Sequence, residues 1–408
     1  MLRDLILGTQ MLFVAFGALT LVPLLTGLDP SVALFTAGVG TLIFYFVTQR
    51  KVPVFLASSF AFIAPIQIAA EEWGIPVALG GLFAAGFVHM AMSQVIRWKG
   101  VEFIDRVLPS VVVGPVIMNI GLALAPVAVG MSKQSWPLAL LSLTTAIVVA
   151  VWGRGLLGLI PILVAAAVGY LAALFTGHVD FTPVREASWF AVPAFTFPEF
   201  RWEAMLFMLP VAIAPMIEHI GDIFAVGKVA GREYHIDPGI HRTMFSDGLA
   251  TSVAALFGGP PNTTYSEVTG ALALIKVFKP HLMAIAAVTA VVLAFVGKLG
   301  ALLKTVPAPV MGGILILLFG MIAAVGVRTL VSARPNLSAT RNLTILAVVL
   351  IVGIGGVTLE AGTFKLGGIG LSGVVGVLLH LILPGAPDEE TPSHIVDTPE
   401  EAGEFTDL

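Results

Sequence analysis

The sequence predicts an all-α polytopic membrane protein of fourteen transmembrane segments in two inverted seven-segment repeats, with short antiparallel extended pieces in segments 3 and 10. Three observations carry this expectation. Of 408 residues, 57% are hydrophobic and only 11% charged, with a mean hydropathy of +0.99; soluble domains carry charge on about a quarter of their residues. The apolar sequence breaks into discrete runs bounded by charges or Pro/Gly clusters. One polar stretch, Gly258-Gly259-Pro260-Pro261-Asn262-Thr263-Thr264-Tyr265-Ser266-Glu267, interrupts that pattern deep in the chain.

The runs fall near 9–27, 31–48, 54–71, 76–96, 107–130, 136–152, 156–176, 204–226, 244–258, 262–278, 281–303, 307–331, 341–357 and 367–384. Those at 54–71 and 262–278 are too short or too polar for ordinary spans. With the N-terminus inside, Lys133, Arg185, Arg201, Lys298, Lys304 and Lys365 fall outside, and the other fifteen of the 21 Lys and Arg are cytoplasmic. That bias fits the positive-inside rule and places both termini in the cytoplasm. Met1-Leu2-Arg3-Asp4 leads straight into an apolar segment without a cleavage pattern, so the first helix is expected to stay as an anchor.

Charge and composition exclude several classes. The net charge of −4 is dominated by the stretch 385–408, which holds Asp388, Glu389, Glu390, Asp397, Glu400, Glu401, Glu404 and Asp407 and no Lys or Arg; a disordered cytoplasmic tail is expected there. No basic run offers a footprint for nucleic acid. Without cysteine there are no disulfides or thiolate metal sites. Neither a His-Glu-x-x-His pattern nor a phosphate-cradling Gly-x4-Gly-Lys loop occurs, so no metal and no cofactor is expected, and ATP-driven transport is disfavoured.

A repeat is visible. Pro109-Ser110-Val111-Val112-Val113-Gly114 parallels Pro307-Ala308-Pro309-Val310-Met311-Gly312, and a similar offset carries Ser58-Ser59-Phe60 onto Thr263-Thr264-Tyr265. Seven spans per half is odd, so the halves are inverted in the membrane. Inverted repeats with paired broken helices are the signature of secondary transporters, with a site near the midplane. The third and tenth segments are therefore expected to cross as extended pieces, each followed by a half-helix whose N-terminus offers free N–H groups. The competing reading of Ser58-Ser59 is a pair of hydroxyls bonded back into an ordinary helix.

In the eighth run, Glu218, His219 and Asp222 stand in a helix otherwise built for lipid. Glu218 and Asp222 are four apart and share a face. Each carboxylate costs about 2.5–3.5 kcal/mol at a helix centre; with Glu267 the sum of roughly 8–10 kcal/mol rivals a protein's whole net stability. Something has to offset that cost: carboxylates in a membrane are natural proton carriers, and the competing reading is that Glu218 and Asp222 snorkel at the cytoplasmic end of the helix without a role. His219 points about 100° from Glu218 and is read as a packing residue; His89, alone among apolar residues, is read as a satisfied core histidine; Gln10 and Asn119 are read as structural support.

Several of these stretches carry a resemblance. Ser58-Ser59-Phe60-Ala61-Phe62-Ile63, Glu218-His219-Ile220-Gly221, Asp237-Pro238-Gly239-Ile240-His241-Arg242-Thr243-Met244-Phe245, Pro261-Asn262-Thr263-Thr264-Tyr265 and Pro309-Val310-Met311-Gly312-Gly313 resemble the nucleobase/ascorbate transporter family, nearest its bacterial uracil permeases. The resemblance implies a core domain from 1–106 and 204–306, a gate domain from 107–203 and 307–384, a homodimer in the cell membrane, and proton-coupled symport of uracil or a related base. It makes Glu218 and Glu267 the carboxylates that hold the base, with the backbone amides of Phe60 and Ser266 as donors and Ala18, Tyr265 and Phe319 lining the pocket. Glu218 and Asp222 then carry the proton; sodium is an open alternative. Neutral uracil presents two N–H donors and two carbonyl acceptors, which two carboxylates and two half-helix N-termini complement. The chain departs from the family pattern at Asp222, Met11, Ser266 and Phe319, and Asp222 is more like purine carriers; a xanthine or purine permease is the alternative, and an anion exchanger of the same architecture a more distant one.

Overall fold

The computed structural model of the protein describes residues 2–100, 107–361 and 364–384. The acidic stretch from 385 and the junction expected at 106 lie outside the described residues. Helices α1 (Leu2–Thr26) and α2 (Pro30–Val47) open the chain. Asp29 sets the start of α2: its carboxylate accepts the Ser31 and Val32 N–H groups at 2.8 and 3.2 Å, and Pro30 takes the first helical position, where its missing N–H costs nothing.

The third segment then breaks as expected. Strand β1 (Leu56–Ser58) passes through a 3-10 turn at Phe60–Phe62 into α3 (Ile63–Trp73), which at eleven residues rises about 16 Å, half a hydrocarbon core. Ser58 is extended and donates its hydroxyl outward to the Leu19 carbonyl at 3.0 Å, which rules out back-bonding within its own helix. Helices α4 (Ile75–Lys99), α5 (Ser110–Ser132), α6 (Trp136–Trp152) and α7 (Pro161–Phe175) follow.

A short helical piece, α8 (Trp202–Met208), joins the longer α9 (Ile213–Ala230) through a 3-10 turn at Pro210–Ala212 into one long apolar helix. Then come α10 (Ile240–Leu256), strand β2 (Asn262–Thr264) and the half-helix α11 (Ser266–Ile275). Gly258, at φ +86°, makes the turn between α10 and β2 in a conformation that favours glycine. Helices α12 (His281–Ala294), α13 (Gly297–Lys304), α14 (Ala308–Ala333) and α15 (Thr340–Ile354), a hairpin of β3 (Thr358–Ala361) and β4 (Phe364–Gly367), and α16 (Gly368–Ile382) complete the chain.

Several boundaries differ from the sequence expectation: the first helix begins at Leu2 and not near 9, and α10 begins at Ile240 and not near 244. The run at 281–303 is two helices, because the connection from α7 to α8 docks at Phe295–Val296: the Ala191 N–H donates to the Phe295 carbonyl and the Gly297 N–H to the Trp189 carbonyl, both at 3.0 Å. The run at 204–226 extends in both directions, to Trp202 and Ala230.

Six helices among the described residues are long and apolar enough to cross a membrane: Leu2–Thr26, Pro30–Val47, Ile75–Lys99, Ser110–Ser132, Trp202–Ala230 and Ala308–Ala333. Phe46, Phe87, Val151, Val292, Ile351 and Ile382 stand exposed on helix surfaces, as suits a chain whose outer solvent is lipid. Inside, glycine permits the closest helix contacts: a Cβ at Gly248 would lie 2.5 Å from the Gly86 carbonyl oxygen, so α10 and α4 meet backbone to backbone.

Candidate functional site

The centre of the molecule is the crossing of β1 and β2. They pair antiparallel with Leu56 opposite Thr264, Ala57 opposite Thr263 and Ser58 opposite Asn262. Outside the ladder, the Ser59 N–H donates to the Pro261 carbonyl at 2.8 Å and the Tyr265 N–H to the Phe55 carbonyl at 3.2 Å. Backbone of this kind survives at membrane depth only when protein satisfies it, and two threonines do so. Thr41 Oγ1 on α2 accepts the Leu56 N–H at 2.9 Å and donates to the Leu56 carbonyl at 3.2 Å. Thr251 Oγ1 on α10 treats Asn262 alike, at 3.2 and 3.0 Å.

Asn262 carries the crossing further into the helix packing, since its Nδ2 donates to the Thr36 and Ala250 carbonyls at 3.4 and 3.3 Å. Gly40 leaves room for that amide, because a Cβ there would lie 2.5 Å from Nδ2. The Tyr265 hydroxyl donates to the Ser58 carbonyl at 2.8 Å and ties the second broken segment to the first.

From this crossing the two half-helices depart with their N-termini at the site. No side chain caps either the turn at Phe60 or the start of α11, so their first N–H groups are available to a ligand. Glu267 lies in the first turn of α11, the end of the helix where the dipole favours an anion.

Glu218 approaches from α9. Asp222, Glu267 and Asp247 are the carboxylates whose charge reaches it, from α9, α11 and α10. Glu218 and Glu267 are exposed, whereas Asp222 is half-buried and accepts the Thr264 hydroxyl at 2.6 Å. The charge of Arg328 on α14 also reaches Asp222.

The expected lining residues converge on Phe60. Ala18 and Tyr265 belong to one apolar cluster and Phe319 to another, and Phe60 packs at the margin of both. Ser266 opens α11. Asn119 is a support residue elsewhere, its Nδ2 donating to the Val349 carbonyl at 2.9 Å between α5 and α15. His219 is fully buried, with Nε2 2.9 Å from Thr243 Oγ1. His89 is also buried, but only its Nδ1 finds a partner, the Ala85 carbonyl at 3.3 Å; its Nε2 has none among the described residues, so it is not the satisfied histidine that the sequence implied.

Sequence reasoning missed Thr41, Thr251 and Asp247, and placed Thr264 in the extended piece without its partner Asp222. Thr41 and Thr251 give no signal, because a hydroxyl in an apolar helix ordinarily bonds its own backbone. Asp247 did give one: a carboxylate inside an apolar run is costly wherever it lies and deserved the weight given to Glu218.

Fold and site together define a multi-pass membrane protein built round two crossed, broken helices with carboxylates at their ends. The chain belongs to the permease family whose model, Xan_ur_permease, matches residues 2–362, and it is a permease and not an enzyme. It is 49% identical over 397 residues to the probable uracil permease of Haemophilus influenzae, covering 95% of this chain and 96% of that one. It is 47% identical to the uracil permease of Bacillus caldolyticus, covering 93% and 92%, and 36% identical to that of Escherichia coli K12, covering 94% and 91%. Among solved structures, the murine Solute Carrier 26 family member A9 anion transporter in its inward-facing state superposes with a TM-score of 0.68 at 12% identity, covering 94% of this chain and 68% of that one. The transmembrane domain of the cyanobacterial bicarbonate transporter BicA gives 0.61 at 14%, covering 93% and 96%. At such identities these two share the fold.

Proposed function

We propose that the protein is a secondary active transporter that carries uracil, or a closely related nucleobase, in symport with a proton. The observation that carries this reading is the crossing of β1 and β2, from which two uncapped half-helix N-termini depart beside Glu218 and Glu267. A flat base with two N–H donors and two carbonyl oxygens needs two acceptors and two donors. Glu218 and Glu267 accept from the base, and the backbone amides of Phe60 and Ser266 donate to it. Tyr265, Ala18 and Phe319 shape the pocket around Phe60. The names of the full-length relatives support the same substrate.

Glu218 and Asp222 carry the coupling proton, with sodium as the competing ion. The core, 1–106 and 204–306, rocks against the gate, 107–203 and 307–384, to expose the site to each side in turn. Extensive packing of α4 on α10 and of α5 on α14 supports that division. Fourteen spans, cytoplasmic termini, the inner membrane and a homodimer complete the proposal.

A second reading, a xanthine or purine permease, is favoured by Asp222. A panel of unlabelled bases competing against labelled uracil at two pH values separates them: uracil competing best, and better at low external pH, is the expected result, and xanthine displacing the label at lower concentration would replace the first reading by the second. Glu218→Gln is expected to stop accumulation against a gradient; undiminished accumulation would remove Glu218 from the coupling. An anion exchanger needs a cationic side chain at the half-helix ends, and neither Ser58-Ser59-Phe60 nor Thr263–Glu267 contains one.

A further inference from the structure

Behind the carboxylates, three ionisable side chains from three helices meet where no solvent reaches. His89 of α4, His219 of α9 and Asp247 of α10 are each 0% exposed. Asp247 Oδ2 lies 3.7 Å from His89 Nε2, and Asp247 Oδ1 lies 3.8 Å from His219 Nδ1. None of these four atoms has a hydrogen-bond partner among the described residues.

The other hydrogen bonds of the imidazoles decide which nitrogens carry hydrogen. His89 Nδ1 faces the Ala85 carbonyl, which can only accept, so Nδ1 is the donor and a neutral His89 turns a bare Nε2 to Asp247. Thr243 gives its one hydroxyl hydrogen to the Ile240 carbonyl at 3.0 Å, so Thr243 Oγ1 accepts from His219 Nε2. A neutral His219 then turns a bare Nδ1 to the same carboxylate. With both imidazoles neutral and Asp247 ionised, lone pairs would face lone pairs across both gaps, and a buried negative charge would stand uncompensated.

We propose that His89, Asp247 and His219 form a proton-binding site, distinct from Glu218 and Asp222, that holds one proton. One proton makes the trio electrically neutral and supplies a donor between acceptors that otherwise repel. It resides on an imidazole facing the carboxylate or on the carboxyl itself; either way it puts a donor across one of the two gaps and removes the uncompensated charge, while the other imidazole keeps its lone pair towards the carboxyl group. The remaining charged groups near the trio are Glu218 and Asp222 on α9, which act on or feel Asp247, then Glu267 on α11, which acts on both, and Arg328 on α14, which acts on Asp222. The site therefore sits one residue behind Glu218 and determines whether α9 carries a net charge on its buried face. It is independent of which solute the protein carries. A metal ion is the competing ligand, although the described residues contain no group of three His, Cys, Asp or Glu disposed to hold one.

The test is the protonation state of the full-length protein in lipid nanodiscs. Nitrogen-15 spectra of its eight histidines, assigned with His89→Gln and His219→Gln, are read beside the carboxyl signals of carbon-13 aspartate. An imidazolium at His89 or His219, or a protonated carboxyl lost in Asp247→Asn, is the expected result. Two neutral imidazoles beside an ionised Asp247 would overturn the proposal. So would stoichiometric metal that survives chelation and shifts the same histidine signals. The wild-type spectrum decides by itself if Asp247→Asn fails to fold, and Asp247→Glu then serves for assignment.

Discussion

Thr41 and Thr251 hold the two crossing strands in the same way: each hydroxyl accepts the N–H and donates to the C=O of a single strand residue, Leu56 for one and Asn262 for the other. They stand on α2 and α10, helices that pack against one another, so one helix pair clamps both broken segments.

Replacing either threonine by valine keeps the shape and removes the clamp. Each variant leaves a buried N–H and a C=O without a partner, at about 1–3 kcal/mol per group. Thr41→Val and Thr251→Val are expected to lower the unfolding temperature of the purified protein clearly, and Thr41→Ser and Thr251→Ser to stay near wild type. Equal stability for valine and serine would show that the hydroxyls are idle.

Tyr265→Phe deletes the 2.8 Å bond to the Ser58 carbonyl while leaving the ring in its cluster. A neutral hydrogen bond contributes about 0.5–1.5 kcal/mol, so equilibrium binding of labelled uracil should weaken by roughly two- to tenfold. Unchanged affinity would mean that the tie does not hold the site in register.

Glu267→Gln and Glu218→Gln each put an amide where an acceptor is required. Loss of a charged hydrogen bond, about 1.5–3 kcal/mol, predicts binding at least tenfold weaker for each. Because both residues contact one small ligand in the proposed site, the double variant should fall short of the sum of the two losses. Wild-type binding in Glu267→Ala, with the fold intact, would take that residue out of the site.

Gly248→Ala drives a methyl against the Gly86 carbonyl oxygen at 2.5 Å and the His89 Cβ at 2.7 Å. Overpacking of that kind costs about 1–3 kcal/mol, and the variant should unfold earlier than wild type. Gly270→Ala is the control: a Cβ there meets nothing within 4 Å, and alanine favours a helix by about 1 kcal/mol over glycine. A thermal unfolding comparison in one detergent checks both.

Much of the fold is legible in the chain because its signals are local. A bilayer demands long apolar runs, and Pro260, Pro261, Gly258 and Gly259 break one of them visibly. The extended pieces at Ser58 and Thr263 and the short helices that follow them were anticipated from spacing; the pairing of Glu218 with Glu267 came from the family resemblance. The split of the run at 281–303 was not, since it depends on residues 189–191 reaching across from a distant connection.

Sequence alone determined that this protein lives in a membrane, that two of its segments are broken, and that carboxylates stand where lipid would forbid them without a purpose. Those properties follow from transfer free energies and backbone chemistry, which each residue carries with it. Only the tertiary structure decided which groups meet: that Thr41 and Thr251 clamp the strands, that Thr264 serves Asp222, and that Asp247 faces two imidazoles across 3.7 and 3.8 Å. Hydrogen bonds between elements depend on ångström distances between residues as far apart in the chain as Asn119 and Val349, and no pattern of neighbours encodes those.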